Sequence, residues 1–330
     1  MKLKSLFIVL LVLLANSSCF HFIRTGKVKT VLEYQVKMED LKGARFYGDM
    51  PACENIYLDE NSNRVYVTSL EGYIFLLDGP SGHELSIVKS EHVGGYALGI
   101  DRAGDGQLYA AICKETSEKY WKNTGGYIAR VSSDLDKVEP LTDEYPAING
   151  LAFDNKGYGY FATSNFSFIF PGGKIMRFLI DNNGVLSEPQ PYTEDIGLAN
   201  GLLFSSSQKR LYYSNTLVNA GFISSQNRDN IIVYQKTKMK EAFDDLCLDS
   251  DERIWMTDPI NHTLKVYDPE SDKLIRYKIS GFGQASSCRI RMEEGEEILY
   301  ITELVAPEKN SEKQYNGRGI LRVPVKSFNQ

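Results

Sequence analysis

Residues 148–154 read Ile-Asn-Gly-Leu-Ala-Phe-Asp, and residues 199–205 read Ala-Asn-Gly-Leu-Leu-Phe-Ser. Each has a polar second residue followed by alternating apolar side chains, the period-two pattern of a strand. The unit returns at 53–59 (Cys-Glu-Asn-Ile-Tyr-Leu-Asp) and at 243–249 (Phe-Asp-Asp-Leu-Cys-Leu-Asp). Weaker copies are 95–101 (Gly-Tyr-Ala-Leu-Gly-Ile-Asp) and 285–291 (Ala-Ser-Ser-Cys-Arg-Ile-Arg). A turn follows every copy, for example Asn155-Lys156-Gly157, and then a second run with an aromatic residue near its middle: Tyr66, Tyr109, Tyr160, Tyr212, Trp255 or Tyr300. Turn chemistry between two such runs signals a hairpin.

A third run follows in most copies, and a fourth, more polar one closes several, such as residues 273–279. Four short strands per unit, recurring about every 40–50 residues, describe a β-propeller. The expectation is an all-β, six-bladed β-propeller with four-stranded antiparallel blades, one domain over residues 29–326. A β-sandwich does not explain one phase repeated six times, and no Pro/Gly/Ser-rich linker divides the chain. Residues 30–36 precede the first unit and are expected to close the ring on the last blade, since an open ring leaves a sheet edge unpaired.

The 330 residues start with Lys2 and Lys4, an apolar run over 5–15, and small residues Ala15, Ser17 and Ser18. This reads as a signal peptide over residues 1–18, too short to span a bilayer. Cys19 follows at once and is a lipidation candidate, although Asn16 stands where a lipoprotein signal carries Leu. The address is therefore exported: periplasmic, secreted or lipid-anchored, with no membrane span. Asn165 and Asn261 head glycosylation sequons that matter only in a eukaryotic secretory route. Cys53, Cys113, Cys247 and Cys288 are dispersed and read as buried apolar positions rather than as a disulfide or zinc framework. A formal charge of −6, more negative without Lys2 and Lys4, and the lack of a basic tract argue against nucleic acid. Blades bury their faces on each other, so a monomer is the default.

Equivalent positions of a propeller meet around one axis. The second residue of each unit sits where the innermost strand begins: Glu54, Tyr96, Asn149, Asn200, Asp244 and Ser286. An isolated Asn-Gly is usually only a turn. Four carboxylate or amide oxygens in one repeat phase instead suggest a site for a hard divalent cation, calcium first, with magnesium, manganese or zinc as alternatives.

With those residues in view, the chain resembles the regucalcin and gluconolactonase family, relatives of diisopropylfluorophosphatase and paraoxonase. The resemblance implies a six-bladed propeller with an axial metal held by Glu54, Asn149, Asn200 and Asp244. It runs from Ala52 to Val323 and includes Ser287-Cys288 at the start of the last blade. Two departures stand out: Asp244-Asp245 replaces the family's Asp-Gly, and the few His residues (His21, His83, His92 and His262) do not support a paraoxonase-type His pair.

Other catalytic motifs, such as G-x-S-x-G, H-E-x-x-H or a P-loop, do not occur. The function expected is thus metal-dependent hydrolysis of a lactone or related ester, a small-molecule substrate. Asp244 (general base, as the resemblance suggests) and Asn149 (substrate orientation) are the catalytic candidates, and Tyr96, Asp245, Ser286 and Ser287 are candidates for the pocket wall. A phosphotriesterase-like activity and a non-catalytic, metal-stabilised binding propeller are the alternatives. Insertions at 114–124, 218–228 and 306–315 are candidates for a lid or partner face.

Overall fold

The computed structural model describes residues 30–79, 84–114, 125–164, 173–181, 184–193, 198–216, 219–224, 230–235, 243–304 and 318–328. The signal peptide, Cys19 and the insertions at 115–124 and 306–315 lie outside them, whereas most of the insertion expected at 218–228 is a strand of the fourth sheet, Asn219–Ser224, paired on both sides and so part of a blade. Among the described residues no helix is long and apolar enough to cross a membrane.

The strands form a propeller of four-stranded antiparallel blades. Among the described residues there are six sheets, five with four strands and one with five. The first is a simple meander from Cys53–Leu58 at its inner edge to Ser86–His92 at its outer edge. The inner strands of the other sheets are Gly95–Arg102, Ile148–Phe153, Ala199–Ser205, Leu246–Leu248 and Ala285–Glu293. Each inner strand packs on the next in chain order, and Ala285–Glu293 packs back on Cys53–Leu58. Burial grades outward: Cys53–Leu58 is buried almost throughout, whereas Ser86–His92 is mostly exposed.

Cohesion comes from apolar faces shared between neighbouring sheets. Leu98, Tyr109 and Ala111 of the second pack with Ile148, Leu151 and Phe161 of the third in one cluster, burial that supplies the main favourable free energy of such an interface. The recurring aromatic residue fills these seams; Tyr66 Oη donates to Ser133 O of the next blade (2.8 Å), and in the other five copies the polar tip bonds beside its own hairpin. Tyr109 Oη donates to Asp105 (2.7 Å), Tyr160 Oη to Asp154 (3.1 Å) and Trp255 Nε1 to Asp249 (2.8 Å). A buried aromatic thereby avoids an unpaired polar atom.

Ring closure differs from the sequence expectation. Arg45–Met50 closes the last sheet, pairing antiparallel with Arg318–Pro324. The earlier segment, Thr30–Lys37, instead runs parallel to Lys273–Ser280 and adds a fifth strand to the fifth sheet. Its side chains favour that edge: Tyr34 stacks on Tyr277 at 5.7 Å, and Val36 packs on the cluster containing Leu264 and Ile279. The chain end joins the same sheets, with Phe328 buried against Trp255 and its carbonyl accepting a bond from Tyr277 Oη (2.7 Å).

Candidate functional site

Every inner strand carries an irregularity at the same place. Cys53 and Ile56 pair with Ser69 and Val67, three steps on the inner strand against two on its neighbour. One extra residue is therefore accommodated, the signature of a β-bulge, which bends the strand and re-aims its side chains. The same shift lies between Ile148 and Leu151, between Ala199 and Leu202, and between Ala285 and Cys288. In the fifth sheet Asp244 N donates to Thr257 O and Thr257 N to Asp245 O, both at 3.0 Å, giving two inner residues opposite one. The bulge pairs are Glu54-Asn55, Asn149-Gly150, Asn200-Gly201, Asp244-Asp245 and Ser286-Ser287.

The second sheet corrects the sequence phasing. Its bulge lies between Ala97 and Ile100, so Leu98-Gly99 is the equivalent pair. Tyr96 stands two residues nearer the strand start, about 7 Å further along the axis at strand rise, and packs against the cluster of Leu98 and Ile148. The turn confirms the slip: Ala103 N donates to Gln107 O as Asp154 N does to Tyr158 O. The ring of six positions therefore reads Glu54, Leu98, Asn149, Asn200, Asp244 and Ser286.

A hydroxyl latch locks the bulges together, and sequence analysis missed it. Thr68 Oγ1 accepts from Asn55 N (3.0 Å) and donates to Leu98 O of the next blade (2.5 Å). Ser214 links Gly201 N (2.8 Å) to Asp244 O (2.5 Å), and Thr257 links Asp245 N (3.0 Å) to Ser286 O (2.8 Å). Ser286 Oγ donates to Cys53 O (2.7 Å), joining the last blade to the first. Where the second and third sheets carry Ala111 and Ala162 instead, glycine lets the backbones approach. A Cβ on Gly99 would lie 2.8 Å from Asn149 O, and one on Gly150 2.1 Å from Asn200 O.

The oxygen donors converge in part. Asn200 Nδ2 donates to Asp244 Oδ1 and, at 2.9 Å, to Thr216 Oγ1. Glu54 and Asp244 are buried and interact electrostatically with each other. Burial, reinforced by the neighbouring Asp245 charge, pushes Glu54 up to about 8. Burial, then the charges of Glu54 and Asp245, hold Asp244 well above the usual carboxylate range, against the Asn200 hydrogen bond. Asn149 occupies the third position of the ring, beside Asn200 through the Gly150 approach.

Asp245 and Ser287, expected on the pocket wall, are committed elsewhere. Asp245 Oδ2 accepts from Arg289 Nη1 (2.6 Å), Asn55 Nδ2 (3.3 Å) and Ser287 Oγ. Ser286 is spent on the latch. Sequence reasoning also passed over Arg289 and Asn55; the available signal was a charged residue in the otherwise apolar half of a buried strand. Cys53, Cys113, Cys247 and Cys288 are buried, as anticipated, and Cys247 Sγ donates to Cys288 Sγ at 3.3 Å.

The donor set suits a hard cation. Two buried acids on different blades interact electrostatically, the Asn200 amide bonds one of them, and neither makes an ion pair with Lys or Arg among the described residues. Such a pair is costly unless protonated or given a cation. Among the described residues no three His, Cys, Asp or Glu side chains form a metal cluster. The candidate set has only two acids and depends on amide oxygens, which calcium accepts readily.

The class defined is a β-propeller with oxygen donors gathered at the bulges of its inner strands. The family described as SMP-30/Gluconolactonase/LRE-like region matches residues 57–304, and the chain belongs to that family. A lactonase of Staphylococcus aureus is 25% identical over 214 residues, a match that spans 62% of this chain and 62% of that one. Among solved structures, the calcium-binding protein regucalcin of Agrobacterium tumefaciens superposes with a TM-score of 0.62 at 14% identity, covering 89% of this chain and 95% of the other. A gluconolactonase of Xanthomonas campestris gives 0.59 at 17%, covering 86% and 90%. At such identities these likenesses speak to the fold.

Proposed function

We propose that this protein is a lactonase that works with one divalent cation, calcium first, at the axis of a six-bladed ring. The observation that carries the reading is the buried, electrostatically interacting pair Glu54 and Asp244, carried on bulges of different blades and without a Lys or Arg ion partner among the described residues. Glu54, Asn149, Asn200 and Asp244 would hold the ion. Family membership and the staphylococcal lactonase supply the reaction class. Export through residues 1–18 belongs to the same proposal.

Bound there, a divalent cation would polarise an ester carbonyl and stabilise the oxyanion formed on attack. The chain's own contribution is preorganisation. The latch fixes the bulge backbones, Asn200 orients the Asp244 carboxylate through its Nδ2–H, and Asp244 Oδ2 is the oxygen available to take a proton from the attacking water. Tyr96, further along the axis, would border the substrate.

The test is hydrolysis of a lactone panel by chelator-stripped protein to which calcium, magnesium, manganese or zinc is returned. Turnover restored by metal in wild type and absent in Asp244→Ala is expected. No turnover with any metal would defeat the enzyme reading.

A further inference from the structure

Below the ring of bulges lies a charge that the site does not use as a ligand. Arg289 is one position past Cys288 on the last inner strand, and its guanidinium points back beneath the bulges. Nη1 donates to Asp245 Oδ2 at 2.6 Å, to Leu246 O at 3.2 Å and to Cys288 O at 2.6 Å; Nη2 reaches Asn55 Oδ1 at 3.4 Å. The Asp245 side chain is 4% exposed and that of Arg289 14%. Asp101, at the matching position of the second inner strand once its phase is corrected, also acts on Arg289 electrostatically. Its own oxygens accept from Arg102 N (2.8 Å) and Phe153 N (3.0 Å).

Asp245 occupies the bulge position where the third and fourth blades carry Gly150 and Gly201, so its carboxylate is an addition to the common plan. Unopposed, it would be a third buried acid next to Glu54 and Asp244, on both of which it acts. Its Oδ2 is saturated by three donors. Its Oδ1 has no hydrogen-bond partner and abuts Gly201, where a Cβ would lie 2.4 Å away. Asp245 is thus held by its neighbours rather than offered to a ligand.

We propose that Arg289 is a positioning residue that sets the charge of the axial site: paired with Asp245 and braced by Asn55, it cancels the third carboxylate and leaves Glu54 and Asp244 alone to set cation affinity. The inference rests on the cation reading of the ring. It makes the two halves of the pair act oppositely. Removing Arg289 exposes the site to the charge of Asp245 and strengthens cation binding. Removing the Asp245 charge leaves a buried guanidinium facing the site and weakens it. At the low effective dielectric of an interior, one unit charge near a divalent ion shifts affinity by about tenfold or more.

The experiment is calorimetric titration of chelator-stripped full chain with calcium, for wild type, Arg289→Met, Asp245→Asn and the double variant. Expected are about tenfold tighter binding in Arg289→Met, about tenfold weaker binding in Asp245→Asn, and a double variant within about threefold of wild type. If Arg289→Met does not fold, Asp245→Asn carries the test, because a merely structural pair predicts no directed loss of affinity in a folded variant. Equal affinities in all folded variants, or tighter binding in Asp245→Asn, overturn this inference and leave the cation site standing. No binding of calcium, magnesium, manganese or zinc by wild type overturns both.

Discussion

Substituting Gly150 by Ala tests the ring architecture at its narrowest point. The added methyl group would stand 2.1 Å from Asn200 O and 2.9 Å from Leu202 N. Both are backbone atoms of the next blade, so no rotamer change makes room. Gly150 is not among the left-handed glycines, so the variant meets no backbone strain of its own. The cost is then a forced separation of two inner strands, about 3 kcal/mol by analogy with overpacked cores. Unfolding entropy scales with chain length, so for a domain of about 300 residues that corresponds to a fall of about 5 °C in Tm. Gly104 is the control: it has open space around it and no left-handed φ. Scanning calorimetry of both Ala variants, with calcium absent and present, gives the comparison. Gly150→Ala should melt well below wild type and lose part of its calcium-induced stabilisation, because Asn200 carries the displaced backbone. Gly104→Ala should melt within about 1 °C of wild type. Coincident melting of the two variants would refute the close approach of the third and fourth blades.

Two further outcomes follow from single contacts. Thr257→Val keeps the shape but removes the donor to Ser286 O and the acceptor for Asp245 N; urea unfolding should show a loss of about 2 kcal/mol, and an unchanged midpoint would mean that the latch is idle. Asp101 is pushed up to about 6, chiefly by burial. A raised carboxyl favours the folded state most below its unfolded value near 4, and that contribution disappears as pH rises through 6. Wild type should lose about 2 kcal/mol more than Asp101→Asn between about pH 4 and pH 7, a figure reduced because the residue keeps some contact with water. Parallel stability–pH curves for the two proteins would contradict it.

The propeller was legible because its determinants are local and repeated. Alternating apolar residues, a turn and a buried aromatic recur in chain order, and each of the first four blades is a meander that needs no remote partner. What failed depends on contacts between distant segments. Residues 30–36 and Arg45–Met50 are both strand-like, and only the edge offered by Arg318–Pro324, against that offered by Lys273–Ser280, decides which one closes the ring. The second unit misled in another way. Asp101 imitates the Asp that ends other copies, but the bulge at Leu98-Gly99 moves that position to Ala103 and makes Asp101 a neighbour of Arg289 instead. The ring positions Glu54, Asn149, Asn200 and Asp244 were readable from repeat phase. The fate of Asp245 and Ser287 was not, because a partner 44 residues away from Asp245 claims its carboxylate.

The most direct measurement is the stoichiometry of divalent cation on purified full chain, by equilibrium dialysis with calcium, for wild type, Glu54→Gln and Asp244→Asn. One ion per chain in wild type and none in either folded variant at the same free calcium is the predicted result. A wild-type chain that binds no ion, or variants that bind as wild type does, would contradict the account.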